Sequence, residues 1–277
     1  MTNSILFPTD FSPSSRKALD YAIALANQLH EDITLLHVYD LQVPDHRFSP
    51  RELQKTTAAK EAEIWPRFQD FLKDIDNNIS FEAVIKRGNL VKKLKACTQQ
   101  HHFEWMVVCT TQNRTFKDFL FGSNIEEMIA DATMPVMLIP ERQKSFKHIK
   151  SIVFPTTLTD DNILAIQKLD DFASLFDAEI RFVHVSNRLT KKEKQLARDY
   201  KRALQKLIQS PFVLEVIETR YISSGIKRYV QQNNADLLAM FRKSRSFTDS
   251  MIHSSITSKM IKGFDSPLLI LPEERFG

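Results

Sequence analysis

Three short segments carry side chains of the right type and spacing for binding chemistry. The earliest is Pro8-Thr9-Asp10-Phe11-Ser12, which follows the apolar run at 5–7. A carboxylate placed just beyond a strand end can accept hydrogen bonds from a ribose or a base. It can equally cap the loop or the helix that follows. Next, Cys109-Thr110-Thr111-Gln112 is separated by nine residues from Gly122-Ser123-Asn124. A helix opening on Gly122, Ser123 and Asn124 offers free amide N–H groups at the positive end of its dipole, a ready anion site. An ordinary N-cap supplied by Ser123 or Asn124 would use the same residues. Last, Arg242-Lys243-Ser244-Arg245 precedes Ser254-Ser255 and gathers three cations within four residues. Such a loop can hold a phosphate by side chains, or it can be a solvated basic loop.

Other chemistries are excluded by what is missing. The chain has 277 residues and only five glycines, at 88, 122, 225, 263 and 277. No two are spaced for the dinucleotide fingerprint G-x-G-x-x-G or for the phosphate loop of P-loop NTPases. His101-His102 has no Cys or carboxylate at ligand spacing, which argues against a zinc site. No Ser-His-Asp or Cys-His arrangement stands out. His37 and His184 occupy matching positions and fit structural packing. Cys109 at a pocket mouth reads first as a buried structural thiol, the commoner case; near a helix N-terminus its pKa would be lowered and redox sensing is the alternative.

Composition is globular, with 43% hydrophobic and 26% charged residues, and the length fits two domains. The net charge of +4 is too mild to imply nucleic acid. It divides as −3 over residues 1–140, +3 over 141–150 and +4 over 151–277, an asymmetry suited to an acidic protein partner or an inter-subunit contact. The basic amphipathic stretch at 191–206 reads first as a solvated face and second as a surface for such a partner. No apolar run approaches the ~20 residues of a membrane span, and the opening MTNSILFPTDFS does not read as a signal peptide. Two cysteines make no disulfide framework, so a cytoplasmic location is expected.

The elements that must position these residues repeat. ILFPTDFS at 5–12 returns as IVFPTTLT at 152–159, and ITLLHVYD at 33–40 as IRFVHVSN at 180–187, both 147 residues later. MPVMLIPE at 134–141 returns as SPLLILPE at 266–273, at an offset of 132. The chain is thus a tandem duplication: domain one at 1–140, a polar linker at 141–150, domain two at 151–277. In the first copy, apolar runs predict strands at 5–7, 33–38, 79–85, 105–109 and 136–139. Helical spacing falls at 13–30, 51–73, 89–100 and 122–131, with Ser12 as N-cap and Pro13 at the first helical position of the earliest. The second copy predicts strands at 152–154, 180–185, 213–218, 237–241 and 268–271, and helices at 161–176, 191–209, 225–233 and 254–262. Such alternation means an α/β fold with a parallel sheet covered on both faces, and ligands at the strands' carboxyl ends.

Both halves resemble the universal stress protein family. The hydrophobic-Pro-Thr-Asp-x-Ser opening, the LLHV second strand, the loop leading to Gly122-Ser123 and the MPVMLIP ending carry the likeness over nearly the whole chain. The resemblance implies two tandem Rossmann-like domains, akin to the adenine nucleotide alpha hydrolases, each with five parallel strands. It implies an adenine nucleotide, ATP or AMP, as the ligand of binding members, and edge-to-edge pairing of last strands. In a tandem chain that pairing makes an intrachain pseudo-dimer; a homodimer stays open. Carried over residue by residue, Asp10 matches the acidic group near the adenosine and Val38 the residue that touches adenine. Gly122 and Ser123 match the end of the family's G-x-x-G, nine residues, G-[ST] pattern. Cys109 and Gln112 stand where its first two glycines belong. In the second copy Thr157 replaces the aspartate, and Phe241, Ser244 and Ser254 replace all three glycines, while Ser255 keeps the hydroxyl. A Cβ at such positions obstructs backbone approach to phosphates.

The expectation is a stress-response protein that acts as a non-catalytic interaction or ligand-sensing module with degenerate sites. An adenine-nucleotide sensor using domain one alone is the second reading. A slow ATPase ranks last, because no general base is evident.

Overall fold

The computed structural model describes residues 4–41, 47–75, 78–110, 127–129, 132–143, 146, 148–158, 163–242 and 266–272. It divides into two compact units, Met1–Asp131 with Glu141–Phe146, and Ala132–Pro140 with Lys147–Gly277.

Unit 1 contains β1 (Ser4–Pro8), α1 (Pro13–Leu29), β2 (Asp32–Tyr39), α2 (Pro50–Leu72), β3 (Phe81–Arg87), α3 (Leu90–Gln100) and β4 (Trp105–Thr110). Its strands lie in the order β3-β2-β1-β4, with every pair parallel. The chain leaves β1 toward β2 on one side and reaches β4 on the other, so the switch point opens beside the end of β1. α1 starts as its sequence dictates. Ser12 Oγ accepts from the Ser15 N–H at 3.0 Å, Pro13 supplies the preset first turn, and Ala18, Leu19, Ala22, Leu25 and Ala26 form the buried stripe. α2 opens on a capping box between Ser49 and Glu52.

Unit 2 contains β5 (Val136–Pro140), β6 (Ser151–Pro155), α4 (Ile163–Leu175), β7 (Glu179–Ser186), α5 (Lys191–Leu207), β8 (Phe212–Glu218), α6 (Ile222–Gln232), β9 (Leu237–Arg242) and β10 (Leu268–Pro272). The order is β5-β10-β9-β6-β7-β8. All pairs are parallel except β5 with β10, where Leu138 faces Leu268 and Val136 faces Ile270 in antiparallel register. This is the last-strand pairing that the resemblance implies, and it places β5, which belongs to the first sequence repeat, in the second compact unit.

The duplication reaches the register. Ser4 pairs with Asp32 as Ser151 pairs with Glu179, and Ile5 with Trp105 as Ile152 with Leu237. The shortening of the second repeat falls between β7 and β8: α5 has 17 residues where α2 has 23. Three elements differ from expectation by two residues or more. β3 sits two residues later than predicted, because its register is set by β2, from Ile33 opposite Phe81 to Tyr39 opposite Arg87. α6 begins at Ile222, ahead of the predicted start at Gly225. Gly225 lies inside the helix, where a Cβ would come within 2.5 Å of Thr219 Cγ2. α5 stops at Leu207 because Asp170 takes the next amides. The predicted linker is held at both ends. Glu141 N–H donates to Thr110 O at 2.9 Å and Phe146 packs edge-on against Tyr21 at 5.0 Å, while Lys150 N–H donates to Asp236 at 2.9 Å.

One carboxyl in unit 1 departs from ordinary titration. Glu31, between α1 and β2, has its pKa pushed up to about 7 by burial first and by the Glu104 charge second, with His102 opposing. Its Oε2 is buried without a hydrogen-bond partner. The folded-state pKa lies above the unfolded one near 4.5. The stabilisation is therefore full below about pH 4.5 and is lost as pH rises through 7. Glu31→Gln is expected to flatten the fall in stability between pH 5 and pH 8. At pH 8 the gain is about 1 kcal/mol, once solvent screening of this half-exposed group is discounted. Urea midpoints at the two pH values test it; equal slopes in both proteins contradict it.

Candidate functional site

The end of β1 is built by a chain of local hydrogen bonds. Thr9 is fully buried. Its N–H donates to Leu36 O at 2.9 Å, its Oγ1 accepts from Phe11 N–H at 3.0 Å, and the same hydroxyl contacts Ser15 Oγ at 3.0 Å. Phe11 consequently takes a left-handed conformation, φ 62°, which a side chain tolerates only where surroundings over-determine it. They do. The Phe11 ring lies 4.5 Å from the His37 ring, 4.8 Å from Phe68 and 5.6 Å from Phe71, and the Arg67 guanidinium sits 4.6 Å over it. Arg67 also donates to Asp10 O at 3.3 Å.

Asp10 is 9% exposed, and its Oδ1 accepts from Ser12 N–H at 2.9 Å. Among the described residues Oδ2 takes no partner. One oxygen of Asp10 thus caps the loop, the structural alternative read from sequence. His37 makes a 2.8 Å bond to Thr9 O; the carbonyl can only accept, so Nδ1 carries the proton. Burial lowers the pKa of His37, which keeps the ring neutral with Nε2 as an acceptor. Val38 is half-buried at the end of β2, opposite Lys86 of β3.

Cys109 stands near the end of β4 and is buried. Its thiol is pushed up to about 12, by burial first and then by the charges of Asp10 and Glu141. This corrects the activated thiol considered from sequence: two carboxylates bear on the sulfur, and the thiolate is disfavoured. The thiolate is therefore a much smaller fraction of Cys109 near neutral pH than of an ordinary thiol. Iodoacetamide is expected to leave the folded chain unlabelled, since Cys97 is also buried and shifted upward, and to label both cysteines in denaturant. Mass spectrometry reads this directly; rapid labelling of Cys109 in the native chain would oppose it.

Unit 2 repeats the scaffold and changes the functional group. Thr156 N–H donates to Val183 O at 3.0 Å, Thr156 Oγ1 accepts from Leu158 N–H at 3.0 Å, and Leu158 has φ 63°. His184 Nδ1 donates to Thr156 O at 2.9 Å. Thr157 stands where unit 1 has Asp10, so that position carries a hydroxyl in place of the carboxylate. Arg242, a candidate anion ligand, donates to Ala132 O at 2.7 Å. Gln112, Gly122, Ser123, Asn124, Lys243, Ser244, Ser254 and Ser255 lie outside the described residues, as does most of the helix predicted at 122–131, of which 127–129 are helical. Of the sequence candidates, the structure brings together Asp10 and Cys109. His37 and Phe11, which pack together at the end of β1, had one sequence signal: His37 and His184 recur at the same offset as the loops they hold.

The model of the universal stress protein family matches residues 1–140 and again 148–272. The chain belongs to the universal stress protein family. It is a tandem member, with one copy in each sequence repeat. A crystal structure of a universal stress protein from Archaeoglobus fulgidus DSM 4304 matches with a TM-score of 0.73 at 17% identity, over 99% of this chain and 98% of that one. A putative universal stress protein from Pseudomonas aeruginosa UCBPP-PA14 matches with a TM-score of 0.66 at 14% identity, over 98% and 93%. At these identities the likeness establishes the tandem fold. No curated protein matches the chain. Among the described residues of this universal stress protein, no three His, Cys, Asp or Glu form a metal-binding group, and no helix is long and apolar enough to cross a membrane.

Proposed function

We propose that this universal stress protein is a non-catalytic ligand-sensing module with one adenine-type crevice, at the ends of β1, β2 and β4 of unit 1. The observation that carries the reading is the contrast between two loops that begin with the same hydrogen bonds. Thr9 and Thr156, His37 and His184, and Phe11 and Leu158 make the same backbone geometry, while the carboxylate of Asp10 has become the hydroxyl of Thr157. A scaffold kept twice with its acceptor kept once fits a single binding event per chain. A carboxylate oxygen that meets no protein donor can accept a hydrogen bond from a ligand hydroxyl or amine. That Asp10 leaves one oxygen over supports a ligand there.

Titration calorimetry with AMP and with ATP tests the proposal. One site per chain is expected, and Asp10→Ala is expected to weaken AMP binding at least tenfold. Two sites per chain would give unit 2 the same role. No binding heat at two temperatures, with no thermal shift, would leave a protein-interaction module instead. Phosphate release from ATP above background would contradict the non-catalytic assignment.

A further inference from the structure

We infer that the exposed face of α5 in unit 2 is a docking surface for an acidic helix of another protein, because it carries a periodic stripe of cations that the fold does not require. The duplication supplies the comparison. α2 and α5 each follow the second strand of their repeat. α2 has four cations and four carboxylates, whereas α5 has seven cations and two carboxylates, a net charge of +5. All seven cations are exposed. Lys191, Lys194, Arg198 and Lys201 recur at helical spacing, and Arg202 and Lys206 continue the stripe from Arg198, so one side of α5 is basic over roughly 22 Å. Residues three and four apart there carry like charge, which by itself disfavours the helix. The two carboxylates do not balance the stripe. Glu193 closes the capping box with Thr190 and accepts from Ser186 Oγ, while Asp199 accepts from Gln195 at 3.0 Å and pairs with Arg202 at 3.4 Å. Lys191, Lys194, Lys201 and Lys206 have no carboxylate partner among the described residues.

The occupant follows from charge, spacing and Leu196. Cations at helical spacing are matched by carboxylates at the same spacing on a second helix. Leu196 is 43% exposed at the rim of the stripe and gives an apolar residue of that helix a seat. A phosphate backbone offers Leu196 no such contact. A bilayer would take up the apolar side of α5, and that side is held on the sheet: Tyr200 and Leu204 are buried, and the Tyr200 ring meets Phe182 at 6.4 Å. The probe is a fluorescein-labelled helical peptide with glutamates three and four apart and one leucine, titrated with the full chain and read by anisotropy. Binding is expected at low salt and should weaken severalfold as salt rises, because screening reduces the attraction. Lys194→Gln, Arg198→Gln and Lys201→Gln combined should weaken it about tenfold, with Tm unchanged or raised, and Leu196→Ser about threefold. Arg51→Gln with Lys55→Gln on α2 should leave it unchanged. No binding, or full binding by the triple variant, would overturn the surface. Equal binding of a peptide of the same composition in scrambled order would overturn the helical match. Tighter binding to a short RNA duplex, or to phosphatidylcholine vesicles containing phosphatidylglycerol, would overturn the choice of partner.

Discussion

Phe182→Ala is expected to destabilise the protein by about 3–5 kcal/mol. Phe182 sits mid-strand in β7 and is fully buried. Its ring meets Phe154 at 5.8 Å, Phe212 at 5.9 Å and Tyr200 at 6.4 Å, all edge to face. Truncation removes the transfer free energy of the ring and leaves a cavity walled by three aromatics that stand on different elements. Phe154 and Phe212 are held by neighbouring strands and Tyr200 by α5, so none can move in to fill the space without breaking its own register. Each edge-to-face pair adds roughly 0.5–1.5 kcal/mol beyond area. Phe182→Leu keeps most of the volume and is expected to cost about half as much. The urea midpoint measures both. A loss below about 1.5 kcal/mol for Phe182→Ala would mean that the cluster collapses into the gap.

The same cluster shows what a sequence can and cannot reveal. The apolar run at 180–185 identifies a buried strand, and the repeat identifies its partner in the first copy as 33–38. It does not reveal that the two copies place their aromatics differently. In unit 1, Phe11, Phe68 and Phe71 gather under the end of β1, and Leu35 stands where unit 2 has Phe182. Periodicity is a property of one segment, whereas ring packing joins residues from 18 to 60 apart in the chain. Charge is subject to the same limit. A helix terminus near Cys109 would have lowered its pKa, yet burial raises it first and then the charges of Asp10 and Glu141, both distant in sequence. Gly225 misled for a local reason. Glycine commonly flanks a helix, but here it lies within one, to let Thr219 approach. The loop at 8–12 was the most legible part of the site. Its Pro-Thr-x-x geometry depends on hydrogen bonds between residues two or three apart, which the local sequence already contains.

Asp170→Ala is expected to cost about 2–4 kcal/mol, although Asp170 belongs to no candidate site. Asp170 is a buried carboxylate on α4. Its two oxygens accept from Gln209 N–H and Ser210 N–H, each at 2.9 Å, in the turn that links α5 to β8. Ser174 Oγ donates to Asp170 O at 2.9 Å and lies 3.1 Å from Ser210 Oγ, so the turn is tied to α4 at two levels. Two effects oppose each other. A carboxylate near a helix C-terminus is disfavoured by the helix dipole, by roughly 0.3–1 kcal/mol. Hydrogen bonds from backbone N–H to a charged acceptor contribute about 1.5–3 kcal/mol each, and Asp170 takes two. The bonds therefore win, and removing the acceptor strands two amides, one of them buried. Asp170→Asn offers one oxygen and turns an NH2 group toward the other amide. It is expected to recover less than half of the loss, although it keeps the volume. That outcome separates hydrogen bonding from packing, because a cavity effect alone would leave Asp170→Asn near wild type. Full stability in Asp170→Ala would mean that water reaches both amides, and the early end of α5 would then need another cause.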